Sequence, residues 1–369
     1  MTVIVHVCEF TKGGIETHLN EVLQYQKHNY DVFLIASELN TNKENLPLDP
    51  TRVILYPYER SLKYFIKAIW FIRKQLKQIK PDIVHIHGTF AGLFVRLLLF
   101  LSGRKYRVIY CSHGWSFLME IHPIKKRIYA MIEKVLSIKT DSIIHISKYE
   151  YLKAMEYGLP ADKSQVIYNG VSERKVQFEE VSERIKFDPN KISLLFIGRF
   201  DRQKGFDILL DVFNRNNFNQ VNLYLIGASV LNDAKYNFPY NSIQLGWINN
   251  KEIDFYISQA DCVIIPSRWE GFGIVAIEAM RNGKAVVCSN RGALPELVRH
   301  NENGYVFNLD RLNELKSIIG SLDKATLKKM GERSREIYLA HFIAEEMNQQ
   351  ILNTYLNKPS LNHEVSLNL

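Results

Sequence analysis

The chain lacks the features that mark secreted, membrane-spanning and metal-scaffolded proteins. Its four cysteines, Cys8, Cys111, Cys262 and Cys288, form no CxxC pair. Each lies in or beside an apolar run, so they read as free thiols packed in strands, not as disulfide partners or zinc ligands. The longest apolar patch, residues 93–101, is interrupted by Arg96 and falls far short of the ~20 residues that cross a bilayer. The opening MTVIVHVCEF has no basic segment followed by a long apolar run, which predicts no secretory signal and a cytosolic protein. No DxD occurs anywhere, so no metal held by paired aspartates is expected.

What is present is an ordinary globular composition, 46% hydrophobic and 23% charged, over 369 residues, a length that suits two domains. The net charge of +8 and a pI near 9.1 point to an anionic partner: nucleic acid, a membrane surface or a phosphorylated small molecule. Short runs such as VIVHV (3–7), VFLIA (32–36), IVHI (83–86), LLFIG (194–198) and CVIIPS (262–267) recur along the chain, with amphipathic segments between them. Strands apolar on both faces, alternating with helices, predict an α/β protein with two doubly wound parallel sheets facing across a cleft. The expected divisions are a first domain at 1–171, a polar linker at 172–191 and a second domain at 192–340. A closing helix at 341–356 and a loose tail at 357–369 follow.

In such sheets, ligands bind at the carboxyl ends of the strands. After the first strand stands Thr11-Lys12-Gly13-Gly14-Ile15-Glu16, which suits either close backbone approach to an anion or an ordinary flexible turn. After LLFIG come Arg199 and, five residues on, Lys204, two cations that would grip a diphosphate. The stretch Pro266-Ser267-Arg268-Trp269-Glu270-Gly271-Phe272-Gly273 opens a helix that carries Glu278. Two carboxylates around an amide-rich turn suit a ligand that combines hydroxyls with phosphates, namely a nucleotide sugar. Gly271–Ala276 also matches G-x-G-x-x-A, but four residues separate the strand from its first glycine and no acidic residue ends the next strand, so a dinucleotide site is rejected.

These motifs, with His85-Ile86-His87-Gly88, His113-Gly114, Ser147, Asn169-Gly170-Val171, Gly227 and Gly246-Trp247, make the chain resemble the family-4 retaining glycosyltransferases of the GT-B type, over nearly its whole length. The resemblance implies two Rossmann-like domains, the first for the acceptor and the second for the donor, with the last helix crossing back to the first. It implies that Arg199 and Lys204 hold the donor diphosphate, Glu278 the ribose, and Glu270 with Gly271, Phe272 and Gly273 the donor sugar and phosphate. Gly14 would approach the phosphates, Gly246 and Trp247 would flank the base, and His113 would stand over the donor sugar as a positioning group. Front-face attack with a departing phosphate oxygen taking the acceptor's proton then needs no separate base. No cofactor is implied beyond the nucleotide sugar, with UDP as the expected nucleotide. His85 and His87 point to one side of their strand and would suit a metal, but no third ligand suggests itself. His6, His145 and His300 read as core or surface histidines.

The charge is unevenly placed. Residues 1–171 hold 23 Lys+Arg against 15 Asp+Glu, while the rest balance at 24 each. A helix expected at 60–80 carries an apolar stripe that includes Ile66, and on its other face Lys63, Lys67, Trp70, Lys74 and Lys77. A second basic segment spans 124–139. Together they suit an anionic inner-membrane surface, and the expected acceptor is a lipid-linked glycan of bacterial O-antigen, capsule or lipopolysaccharide assembly. A GT-B epimerase and a basic nucleic-acid-binding protein are the rival readings. The second is disfavoured because the cations lie on amphipathic helices and the glutamates would have no purpose, so no nucleic acid is expected as a partner.

Overall fold

The computed structural model describes the whole chain except residues 40, 60, 102, 104–105, 174–184, 230–235 and 357–369, and the side chains at 62, 101 and 251. The expected tail, most of the expected linker and the first residue of the expected basic helix lie outside the described residues.

The apolar runs become strands of two parallel sheets. The first contains β1 (Val3–Cys8), β2 (Asp31–Ser37), β3 (Val53–Tyr56), β4 (Ile83–His87), β5 (Arg107–Cys111), β6 (Ser142–His145) and β7 (Ser164–Val166), in the order β3-β2-β1-β4-β5-β6-β7. The second contains β8 (Ile192–Ile197), β9 (Val221–Ile226), β10 (Ser242–Gly246), β11 (Cys262–Ile265), β12 (Ala285–Ser289) and β13 (Gly304–Phe307), in the order β10-β9-β8-β11-β12-β13. The central strands are buried along almost their whole length, which is why they read as continuous apolar runs. All four cysteines are free and buried at strand positions, as expected.

The first sheet is connected by α1 (Gly14–Gln26), α2 (Leu62–Ile79), α3 (Thr89–Leu101), α4 (Pro123–Leu136) and α5 (Lys148–Glu156). The second carries α6 (Phe206–Arg215), α7 (Asn250–Gln259), α8 (Ile274–Arg281), α9 (Leu294–Leu297), α10 (Leu312–Gly320) and α11 (Lys324–His341). Helix starts follow local chemistry. Pro123 opens α4 behind His122, whose Nδ1 accepts from the Ile124 amide at 3.3 Å. Asp323 caps α11 by accepting from the Thr326 amide at 2.9 Å.

The chain divides into two compact units, Met1–Gly170 with Ala344–Asn368, and Val171–Ile343. Val171 bridges to Ile343 and its carbonyl accepts from Tyr338 Oη at 2.7 Å, which puts it in the second unit rather than at the end of the first. The closing helix expected at 341–356 is present and begins three residues later than expected. Helix α11 ends at His341, the non-helical backbone of buried Phe342 breaks the run, and α12 (Ala344–Tyr355) packs with the first unit. There Thr354 receives Gln165 Nε2 on its hydroxyl at 2.7 Å and Arg107 Nη2 on its carbonyl at 3.0 Å. Among the described residues no helix is long and apolar enough to cross a membrane.

Strand order reverses direction once in each sheet, between β1 and β4 in the first and between β8 and β11 in the second. Loops leaving such neighbouring strands diverge, which opens a crevice at their carboxyl ends. Both groups of candidate residues stand at these two positions.

Candidate functional site

In the second unit the loops after β8 and β11 meet. Lys204 Nζ donates to Glu270 Oε2 at 2.7 Å, and Ser267 Oγ donates to the same oxygen at 3.2 Å. The Lys204 backbone N–H donates to Asp201 Oδ1 at 2.9 Å, so the loop that carries the ammonium is also held. Arg199 Nε lies 3.0 Å from Asp201 Oδ2, and its Nη2 donates to Gln203 Oε1 at 2.8 Å. Two cations and a carboxylate thus leave adjacent strand ends in fixed geometry, partly open to solvent.

Glycine permits this approach. A β-carbon on Gly205 would stand 1.9 Å from the Pro266 carbonyl oxygen, so only glycine lets the β8 loop pass against the β11 loop. Gly273 caps α8 in the left-handed region at φ 101°. Glu278 follows just over one turn into α8 and is half-buried. Phe272, expected to contribute its backbone amide, turns its side chain into the protein. It is buried with its ring 6.0 Å from that of Phe342, and only its backbone can face a ligand. Gly246 ends β10 at φ 74° and is followed by the exposed Trp247.

In the first unit, Gly14 begins α1 after Gly13 at φ 64°, and His113 follows β5. His113 has φ 53°, a left-handed conformation that costs a non-glycine residue energy and clusters at functional positions. It does not stand alone. His87 Nδ1 pairs with His113 Nε2 at 2.9 Å, and His87 Nε2 with His6 Nδ1 at 2.9 Å. His6 Nε2 faces Gln26 Oε1 at 2.9 Å, His85 Nδ1 faces Tyr355 Oη at 2.6 Å, and His18 Nδ1 faces Asn169 Oδ1 at 2.9 Å. The third imidazole that would join His85 and His87 is His6, and a second group brings His18 and His113 to His87. The signal was there in part: three histidines interrupt otherwise apolar strands, and parallel register sets His6 beside His85. His18, Gln26 and Tyr355 carried no signal, because only the tertiary fold brings α1 and α12 to the strand ends.

Burial sets the charge of this cluster. Removal from water pushes His6 and His18 down to about 4, against the ordinary 6.5, and holds His85, His87 and His113 well below it, with neighbouring imidazoles adding to the effect. The rings are neutral at pH 7. Below pH 6.5 the unfolded chain binds protons that the folded cluster refuses, so folding loses free energy as pH falls through the window from 6.5 to about 4. Urea unfolding of the protein should give a midpoint that is constant above this window and falls steadily within it. A midpoint unchanged through the window would contradict the buried neutral cluster.

Comparison with known proteins adds the class. The family description Glycosyltransferase Family 4 matches residues 12–175, and Glycosyl transferases group 1 matches residues 177–336. The chain is 33% identical to an uncharacterised 41.2 kDa protein in the cps region of Klebsiella pneumoniae, over 95% of this chain and 99% of that one. It is 30% identical to the uncharacterised glycosyltransferase MJ1178 of Methanocaldococcus jannaschii, over 88% and 89%. With 25% identity over 88% of both chains, it also matches the Escherichia coli UDP-Gal:alpha-D-GlcNAc-diphosphoundecaprenol alpha-1,3-galactosyltransferase. Among solved structures, Anabaena Alr3699/HepE in complex with UDP-glucose has a TM-score of 0.79 at 19% identity, covering 97% of this chain and 100% of that one. The chain belongs to the family-4 glycosyltransferases and has the GT-B fold of two Rossmann-like domains.

Proposed function

We propose that this glycosyltransferase moves a hexose or N-acetylhexosamine, with retention, from a nucleotide sugar to a lipid-linked glycan in bacterial surface polysaccharide assembly. The observation that carries the reading is the Lys204–Glu270 pair at the strand crossover of the second sheet, beside Arg199. Lys204 and Arg199 neutralise the diphosphate as it departs, Glu270 and the backbone of Gly271–Gly273 take donor hydroxyls and phosphate, and Glu278 takes the ribose. Gly246 and Trp247 flank the base, Gly14 serves the phosphates, and His113 is assigned to the donor sugar. UDP is the nucleotide proposed, in keeping with the printed donor of the galactosyltransferase relative and the UDP-glucose bound to the structural neighbour. No metal takes part in this reading, so transfer should persist in EDTA. Incubation with a panel of UDP- and GDP-sugars and a lipid diphosphate acceptor, read by product mass, tests it. Donor turnover without an acceptor-linked product would point instead to an epimerase.

The acceptor reading rests on the surface of the first unit. On α2, Trp70 is 65% exposed among Lys63, Lys67, Lys74 and Lys77, and Ile66, expected in the inward stripe, stands on this outer face as well. On α4, within the segment expected to be basic, Ile124, Ile128, Met131, Ile132 and Val135 form an exposed apolar stripe at helical spacing. Beside it lies a groove of about 680 Å³ lined by Lys126, Arg127, Lys134, Tyr149 and the Lys153–Glu156 ion pair. Exposed apolar side chains flanked by cations suit an anionic bilayer and a lipid diphosphate. Each surface cation contributes about 1 kcal/mol, so replacing Lys67 and Lys74 with alanine should weaken vesicle binding about thirtyfold at low salt. Co-sedimentation with anionic and neutral vesicles measures this, and equal binding to both would remove the membrane role.

A further inference from the structure

The five clustered histidines of the first unit, buried His6, His18, His85 and His87 with half-buried His113, do more than fill a crevice. A neutral imidazole has one N–H and one lone pair, so a row of rings bonded nitrogen to nitrogen must run in a single sense. The row His6–His87–His113 is closed at its inner end by Gln26, whose carbonyl faces His6 Nε2 and whose amide donates to Tyr355 Oη at 3.2 Å. A carbonyl only accepts. His6 therefore carries its proton on Nε2 and offers Nδ1, His87 donates from Nε2 and offers Nδ1, and His113 donates from Nε2. Its Nδ1 is left as a bare lone pair at the outer end. His6, His87 and Gln26 are all at most 1% exposed, and burial keeps the rings neutral, so water has little access to reverse the order.

We propose that Gln26, His6 and His87 form a hydrogen-bonded rail that fixes the ring plane and tautomer of His113, so that His113 meets the donor sugar as a hydrogen-bond acceptor through Nδ1. This rests on the assignment of His113 to the donor sugar. In it, Gln26, His6 and His87 are positioning residues that touch no substrate. The rail ends inside the protein at Gln26 and Tyr355, so it orders a proton rather than conducting one, and His113 orients a hydroxyl instead of removing its proton. Helix α12 takes part directly, since Tyr355 holds the Gln26 amide in the orientation that sets the sense of the row.

Long-range nitrogen–proton NMR of histidine-labelled full-length protein, with His113 assigned by His113→Gln, reads the tautomer without any substrate. The expected spectrum has a protonated Nε2 and a bare Nδ1 at His113. Gln26→Leu should lose the single tautomer, and Gln26→Glu, which keeps an acceptor at the same place, should retain it. Tyr355→Phe opens no large hole and should admit the second tautomer, so the test survives if Gln26→Leu fails to fold. In transfer assays Gln26→Leu should lower kcat about tenfold, the worth of one oriented hydrogen bond, with donor KM little changed, and Gln26→Glu should recover most of it. A protonated Nδ1 in the parent protein, a tautomer indifferent to Gln26 and Tyr355, or stoichiometric zinc bound among His18, His87 and His113 would overturn the rail. The ordered tautomer together with full activity in His113→Ala would uphold the rail and remove the sugar-facing assignment, so the two fail separately.

Discussion

Lys204→Ala should reduce sugar transfer by at least about 10²-fold, with most of the loss in kcat. The ammonium is held before substrate arrives, by Glu270 Oε2 at 2.7 Å and by the loop bond from its own amide to Asp201. A cation fixed in place stabilises charge as it develops on the departing diphosphate without reorganising at that moment. On the proposed reading ground-state binding should change less, because Arg199 and the α8 dipole would still meet the nucleotide. Lys204→Arg should restore little, since a planar guanidinium does not reproduce a compact ammonium between Glu270 and the loop. Steady-state kinetics with the preferred donor decide it. Full activity of Lys204→Ala, with Glu270→Ala equally unaffected, would refute this site.

Glu133→Ala should destabilise the first unit by about 3–5 kcal/mol. Arg96, the residue that interrupts the longest apolar run, is fully buried on α3, and its Nη2 donates to Glu133 Oε2 on α4 at 2.7 Å. Its guanidinium also lies 3.7 Å from the Tyr110 ring centroid, and Tyr110 Oη donates to Glu133 Oε1 at 3.3 Å. Removal of the carboxylate leaves a guanidinium buried without its counter-charge, which costs far more than the pair contributes. The double variant Arg96→Met/Glu133→Leu should recover most of the loss, because it removes both charges and fills the space with apolar atoms. Urea unfolding of the parent and the two variants measures the loss and its recovery. A Glu133→Ala protein as stable as its parent would show that water reaches Arg96.

Much of the chemistry lay in one-dimensional order. Arg199 and Lys204 after one strand, and Glu270 before a helix, are local patterns, and local patterns survive folding unchanged. The histidine row is of the opposite kind. His6 and His87 are 81 positions apart, and Tyr355 lies 270 beyond His85. Hydropathy explains why Ile66 was misplaced. A stripe fixes which residues share a helix face, but not how wide a strip of that face the neighbouring elements cover, and on α2 the cover stops short of Ile66.

By itself the sequence determined the fold class, the parallel sheets, the family and the cations and carboxylates of the second unit, because strand burial, helix amphipathicity and loop motifs are written within short stretches. The tertiary structure alone decided that five imidazoles share one interior and that Gln26 and Tyr355 close it. It also decided that Arg96 is paired in the core and that α4 shows an apolar stripe to solvent. Those outcomes depend on strand order and on which surfaces a neighbour covers, and both are set by chain segments far apart in sequence whose contacts form only when the sheets close.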